Sequence, residues 1–394
     1  PLIQLGNQKP LEEEDLPDIR IVDSSKFNAD YFQTIWNQER ERNPHQPSLH
    51  RAILKDFLTS IWYVQPMMCL AAAAKIAQAL VLGYLIQSFE TGNAAEGYLW
   101  AALLVLCGLV ILFEHHHVFF TTWRKGMQLR ISCVAAIYNK SLKLSSTHQD
   151  TAASAGKIMN LASNDVERFL LASLFVNYLF WSPMQSIAIL AVGWTSLGPA
   201  FAAGFALLLF GFLPFQFYLS HKFAFFRSQT AAITDRRGTF VQQAVQGVRV
   251  MKMSGYEWRF LDRIEQIRKQ EIEQITKANR LKAWNETLFF SANVIISMTI
   301  FVIHVAIGGT LTPRDVFTVY TLVNVLQLEM TKHVALGIMG VSEVYVSIQR
   351  IQAFLEFPEI PSPQPNQRDS KLEQSDVAMS LQAVNCYWND VKKV

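Results

Sequence analysis

Charge is what this 394-residue sequence is short of. Asp, Glu, Lys and Arg make up only 17% of it, where soluble domains average about 25%. That shortage argues against two or three soluble domains, which the length alone would allow. Cysteine is sparse too. Cys69, Cys107, Cys133 and Cys386 lie far apart, with no C-x-x-C pair and no metal-ligand spacing, so they mark no site. The net charge of +3 provides no basic excess for a nucleic-acid partner. The first fifty residues are polar and do not have the pattern of a secretory signal.

What the sequence has instead is apolar residues, at 51%, with aromatics at 12%, and they come in blocks. A membrane helix needs about 20 mostly apolar residues to cross roughly 30 Å of hydrocarbon. Six stretches qualify: Phe57 to Phe89, Gly97 to Phe120, Leu170 to Trp194, Pro199 to Ser220, Thr287 to Ile307 and Val316 to Ser342. The fold class predicted is an all-α polytopic membrane protein. Residues 121–169 carry seven Lys or Arg and residues 221–282 carry thirteen, while 88–97 and 193–200 carry none. Because cationic loops stay on the cytoplasmic side, both termini are expected there.

The two basic connections read as continuations of helices. Residues 221–286 contain no proline, and Phe260, Leu261, Ile264, Ile267, Ile272 and Ile275 recur at helical spacing, as on one face of an amphipathic helix. Gly247 and Gly255 bracket a reversal, and a second reversal is expected near Ser145 to Gly156. Ser254, Gly255, Tyr256 and Trp258, with residues 145–155, form the expected contact surfaces for another domain. Pro47 to Lys55 reads as a short helix at the inner membrane surface. Four prolines between Pro358 and Pro365 mark a linker, and Val377, Met379, Leu381 and Ala383 alternate as a strand would.

Polar residues inside the spans are candidate site residues, because such groups face a bundle interior or a water-filled path. Seventeen uncharged residues, Gly97 to Phe113, lead into Glu114-His115-His116-His117-Val118-Phe119-Phe120. Successive residues on a helix point about 100° apart, so the three histidines cannot converge on one metal ion. They either satisfy neighbouring helices or face a cavity. Lys75 either attracts an anion or pairs with a glutamate such as Glu114 or Glu329. Phe175, Phe180, Phe289 and Phe290 either wall a flat ligand or pack against helices.

Four segments carry a resemblance. Pro10 to Leu16 (PLEEEDL) is similar to an acidic lasso, and Gly156 to Phe169 (GKIMNLASNDVERF) to a first intracellular loop. Gly247 to Phe260 (GVRVMKMSGYEWRF) resembles a second coupling helix, and Val346 to Ile360 (VSIQRIQAFLEFPEI) the exit of a sixth helix. Together they resemble the C subfamily of ATP-binding-cassette transporters, the multidrug-resistance-associated proteins, and most closely its short members. The resemblance implies a type I exporter transmembrane domain with long cytosolic helix extensions. It implies a lasso at 1–46, the membrane domain at 47–356, a linker at 357–376 and the first strand of a nucleotide-binding domain at 377–394. Trp388 falls where that strand's aromatic stacks on adenine.

The same resemblance singles out His115, Phe119, Phe175, Phe180, Phe289, Gln327 and Leu328 as pocket positions, with Lys75 as an inward cation. It also implies ATP-driven export of amphipathic organic anions across the plasma membrane. The implied partners are a second transmembrane domain, two nucleotide-binding domains that hold ATP and Mg2+, and membrane lipid. A channel or regulatory subunit, or an assembly partner without ATPase activity, is the alternative within that subfamily. Val294, Gln327 and Ala335 depart from the pattern of a lysine, an arginine and a proline. A pocket with fewer fixed cations would hold di-anions less strongly, and His115 and His116 would compensate in part, in a pH-dependent way. No G-x-x-x-x-G-K-[S/T] phosphate loop occurs, so this chain alone is not expected to hydrolyse ATP.

Overall fold

The structure, a computed structural model, describes residues 2–15, 18–44, 46–144 and 155–359, with the backbone of 387–389 and 392–393. Three helices precede the first span: α1 (Leu2–Gln8), α2 (Ser25–Arg42) and α3 (Leu49–Ser60). The Ser24 hydroxyl accepts from the Phe27 amide and the Ser48 hydroxyl from the Arg51 amide. Each thereby satisfies a first-turn N–H that has no partner inside its helix.

The first span differs from the sequence reading. It starts not at Phe57 but at Val64, with α4 (Val64–Thr91). Pro66 has no N–H to donate to the Trp62 carbonyl, and its ring crowds that carbonyl. The chain therefore turns at 61–63, with the Val64 amide on the Ile61 carbonyl at 3.0 Å.

Next comes α5 (Ala94–Lys143), a single helix of 50 residues. At 1.5 Å per residue that is about 75 Å, more than twice the hydrocarbon thickness. Then α6 (Ala155–Asn160) leads through a π-helical turn, Leu161–Asp165, into α7 (Val166–Phe175) and α8 (Tyr178–Leu197). The third span, read as continuous from Leu170, is thus interrupted at 176–177. There the Leu179 amide bonds back to the Val176 carbonyl at 3.2 Å, and the Asn177 side chain accepts from Gln65 at 3.2 Å.

Gly198, at φ +55°, reverses the chain in a conformation that favours glycine. Pro199 then opens α9 (Pro199–Ala206), followed by a π turn (Leu207–Phe212) and α10 (Leu213–Gln246). Pro214 cannot donate to the Phe210 carbonyl, which is why the ladder widens there. The tip is α11 (Val248–Met253), and α12 (Glu257–Ala306) returns over 50 residues. The last span is α13 (Pro313–Leu328), a π turn (Glu329–His333) and α14 (Val334–Leu355). Among the described residues, six helical stretches are long and apolar enough to cross a membrane. Two short strands, β1 (Tyr387–Asn389) and β2 (Lys392–Lys393), pair antiparallel. The strand expected at 377–383 lies outside the described residues, as do the Trp388 side chain and residues 145–154.

The chain divides into two compact units, one of Pro1–Met68, Glu114–Leu179 and Leu336–Val394, the other of Cys69–Phe113 and Phe180–Ala335. In the first unit, ion pairs join the elements. Arg124 on α5 grips Asp23, just before α2, through two bonds of 3.0 and 2.7 Å, and the Gln128 amide adds a third at 2.8 Å. The Arg124 guanidinium holds the Asp23 carboxyl below its usual range. Lys125 meets Asp56 on α3 at 2.7 Å, and the Tyr31 hydroxyl donates to the same carboxylate at 2.8 Å. Desolvation, together with that bond, pushes the Tyr31 phenol up to about 12. On α14, Gln352 accepts from the Leu49 amide and donates to the Pro47 carbonyl, both at 2.9 Å. Arg350 pairs with Asp165, and Arg168 with Glu343. Glu359 is fixed to Lys140 at 2.8 Å.

The second unit is built around aliphatic packing. Ile189, Phe201, Leu208, Ile296, Ile300, Leu322 and Leu326 form its buried centre. A Cβ on Gly204 would lie 2.3 Å from Ile300, so α9 and α12 touch almost backbone to side chain.

Candidate functional site

His115 sits in the middle of α5, one turn before Phe119, and the two rings lie 4.2 Å apart at 38°. The spacing explains this, since residues four apart share a helix face. Phe119 meets the edge of Phe175 at 6.2 Å and 90°, and Phe175 in turn lies 6.2 Å from Tyr178. Gly337 on α14 approaches the Phe175 carbonyl so closely that a Cβ would stand 2.9 Å from it, which fixes the end of α7 and the ring it carries. The first unit thus assembles one histidine and three aromatics. His116 lies 6.0 Å from His115. Among the described residues, no group of three or more His, Cys, Asp or Glu could hold a metal ion.

In the second unit a buried polar centre forms around Glu329. One carboxylate oxygen accepts from the Lys75 ammonium on α4 at 2.7 Å. The other accepts from the Ser182 hydroxyl on α8 at 2.8 Å and lies 3.0 Å from His333 Nδ1. Of the two glutamates the sequence offered Lys75, Glu329 is the partner. Ser182 and His333 were missed by sequence reading. Their signals were the helical i+4 spacing of His333 after Glu329 and a hydroxyl beside Pro183 in an uncharged span. The π turn over 329–333 breaks the α ladder where these groups meet, a recurrent property of functional or strained turns.

Gln327 is buried, and its amide donates to the Phe289 carbonyl. Its side chain therefore ties α13 to α12. Phe289 lies against Phe290 at 5.4 Å, edge to face. Phe180, at the second unit's end of α8, is exposed and meets Trp181 at 5.5 Å, and Leu328 is partly exposed.

The tip between α10 and α12 has a different character. Val250 is 70% exposed, Met253 89% and Trp258 79%, with Tyr256 also exposed. Ser254 caps α11, and Gly255 takes φ +65°, the conformation the reversal requires. The shafts behind it are clasped at Glu271, whose buried carboxylate accepts from Arg237 at 2.8 Å and Arg268 at 2.7 Å.

Residues 67–330 match the ABC transporter transmembrane region. The chain belongs to this family. Among ABC transporters it is 33% identical over 399 residues to human ATP-binding cassette sub-family C member 4, covering 99% of this chain and 30% of that protein. It is 25% identical to human sub-family C member 3, covering 90% of this chain and 25% of the relative. The zebrafish cystic fibrosis transmembrane conductance regulator is also 25% identical, covering 99% and 26%. The chain therefore spans about 30% of the length of the first of these relatives. Like other members of the ABC transmembrane family, it is a multi-pass membrane protein.

Proposed function

We propose that the chain is the first transmembrane half of an ATP-driven exporter of amphipathic organic anions in the plasma membrane, with both termini cytoplasmic. The observation that carries this reading is the tip: Val250, Met253, Tyr256 and Trp258 present apolar side chains at the end of two long charged helices. An apolar tip on such a shaft suits a partner domain, here a nucleotide-binding domain. The Glu271 clasp keeps α10 and α12 moving as one body, so a push on the tip reaches their apolar halves. Nucleotide phosphates have no phosphate loop here to receive them; ATP and Mg2+ belong to the partner domains, with Trp388 as this chain's share of the adenine site. Each unit offers its own contacts: in the first, His115, Phe119 and Phe175 would stack on an aromatic group, and in the second, Lys75 would attract an anionic one.

The test is uptake of a labelled organic anion into inside-out vesicles bearing the full-length parent. ATP-dependent uptake is expected, and Trp258→Ala should reduce it. Nucleotide-gated current without uptake would overturn the exporter in favour of a channel, the second reading that the zebrafish relative's name supports. Continuation of the transcript in frame into a G-x-x-x-x-G-K-[S/T] loop excludes an assembly partner without ATPase activity.

A further inference from the structure

The centre around Glu329 is asymmetric. Glu329 leaves 2% of its side chain exposed and Lys75 22%. Both carboxylate oxygens are engaged, by Lys75 on one side and by Ser182 and His333 on the other. The Lys75 side chain keeps an exposed face, while that of Glu329 has almost none. A ligand anion arriving at that face meets a cation already shared with an internal anion. Gln327, two residues before Glu329, is neutral and donates to the Phe289 carbonyl.

We infer that Glu329 is a resident counter-anion for Lys75 and sets the charge class admitted there, favouring singly charged anions over doubly charged ones. The first ligand charge shares the ammonium with Glu329. A second charge meets the repulsion of the same carboxylate, and like charges placed close together select strongly against a partner. Lys332, exposed on the π turn three residues on, is the neighbouring cation that a control must address.

This inference deepens the organic-anion reading and rests on it, so binding and transport are measured separately. The full-length protein in lipid nanodiscs is titrated with mono-sulfonated and di-sulfonated forms of one fluorescent dye, read by polarisation. Glu329→Gln is expected to tighten the di-sulfonate by about tenfold or more and the mono-sulfonate far less. Lys75→Gln is expected to weaken both by a similar factor. If Glu329→Gln does not fold, the double variant Lys75→Gln/Glu329→Gln, which leaves no buried unpaired charge, should fold and lose the wild-type preference for the mono-sulfonate. An unchanged ratio in Glu329→Gln, or the same shift from Lys332→Gln, overturns the inference. A shifted binding ratio in Glu329→Gln, together with no ATP-driven uptake by the wild-type protein, overturns the exporter and leaves the counter-anion role standing.

Discussion

The two units solve the same packing problem with different chemistry. In the first, ion pairs such as Asp23–Arg124, Asp56–Lys125 and Asp165–Arg350 join neighbouring elements. In the second, aliphatic side chains do that work, and the charge inside the spans is concentrated at Lys75 and Glu329. The difference follows from sequence. The first unit contains the polar N-terminal residues and the basic stretch after Phe120, whereas the second contains most of the uncharged runs and carries its own basic stretch, 221–282, outside them. Spread over several contacts, some of them partly exposed, charge tolerates the loss of one. Gathered into a single buried centre, it does not.

That contrast is broken most severely by Glu329→Leu. It leaves Lys75 without its partner, and removing one member of a buried pair costs about 3–5 kcal/mol. The melting temperature in detergent, followed by tryptophan fluorescence, should fall more than for Asp23→Asn in the first unit's partly exposed Asp23–Arg124 pair. Next comes Gly204→Val, which forces side-chain atoms onto Ile300. Overpacking of that kind costs about 1–3 kcal/mol, and Ile300→Ala in the same chain should recover part of the loss.

A smaller effect is expected for Asp23→Asn, because the charged hydrogen bonds it loses are worth about 1.5–3 kcal/mol when buried and these are partly exposed. Limited proteolysis should cut the first 40 residues faster. The Asp23 carboxyl is depressed by Arg124, so its stabilising contribution is present at neutral pH and is lost as pH falls through the folded-state value, below about 4. Wild-type protein should therefore become as cleavable as Asp23→Asn in acid, and equal cleavage of the two at neutral pH would show that the clasp holds nothing. The smallest effect on stability belongs to Trp258→Ala, within about 0.5 kcal/mol for so exposed a side chain. A large melting shift there would mean that the tip packs within this chain.

The spans were legible because a run of apolar residues long enough to cross a bilayer has few other uses. The long extensions were legible from the missing proline in 221–286 and the helical recurrence of Phe260 to Ile275. What the apolar count could not show was where a helix breaks inside an apolar run. The helix before Pro66 ends at Ser60 although Phe57 to Tyr63 look fit to continue, and Asn177 sits at a break that composition does not mark. Similarly, Lys75 could be assigned a partner only by type, since the choice between Glu114 and Glu329 depends on which helices meet. The His115–Phe119 pair was legible because it lies within one helix, whereas Phe175 and Ser182 join their groups through tertiary packing.

The Lys75–Glu329 pair also has a place in time. Its members lie 254 residues apart in sequence, the first in the first span and the second in the sixth. At about 5–20 residues per second, synthesis leaves roughly 10–50 s between them. Throughout that interval the first span must be held in or beside the membrane with a cation that has not met its carboxylate. The sixth span does more than complete the count of helices: its arrival neutralises the first, and a nascent chain stopped short of Glu329 would present an unmatched lysine to the machinery that inspects new membrane proteins.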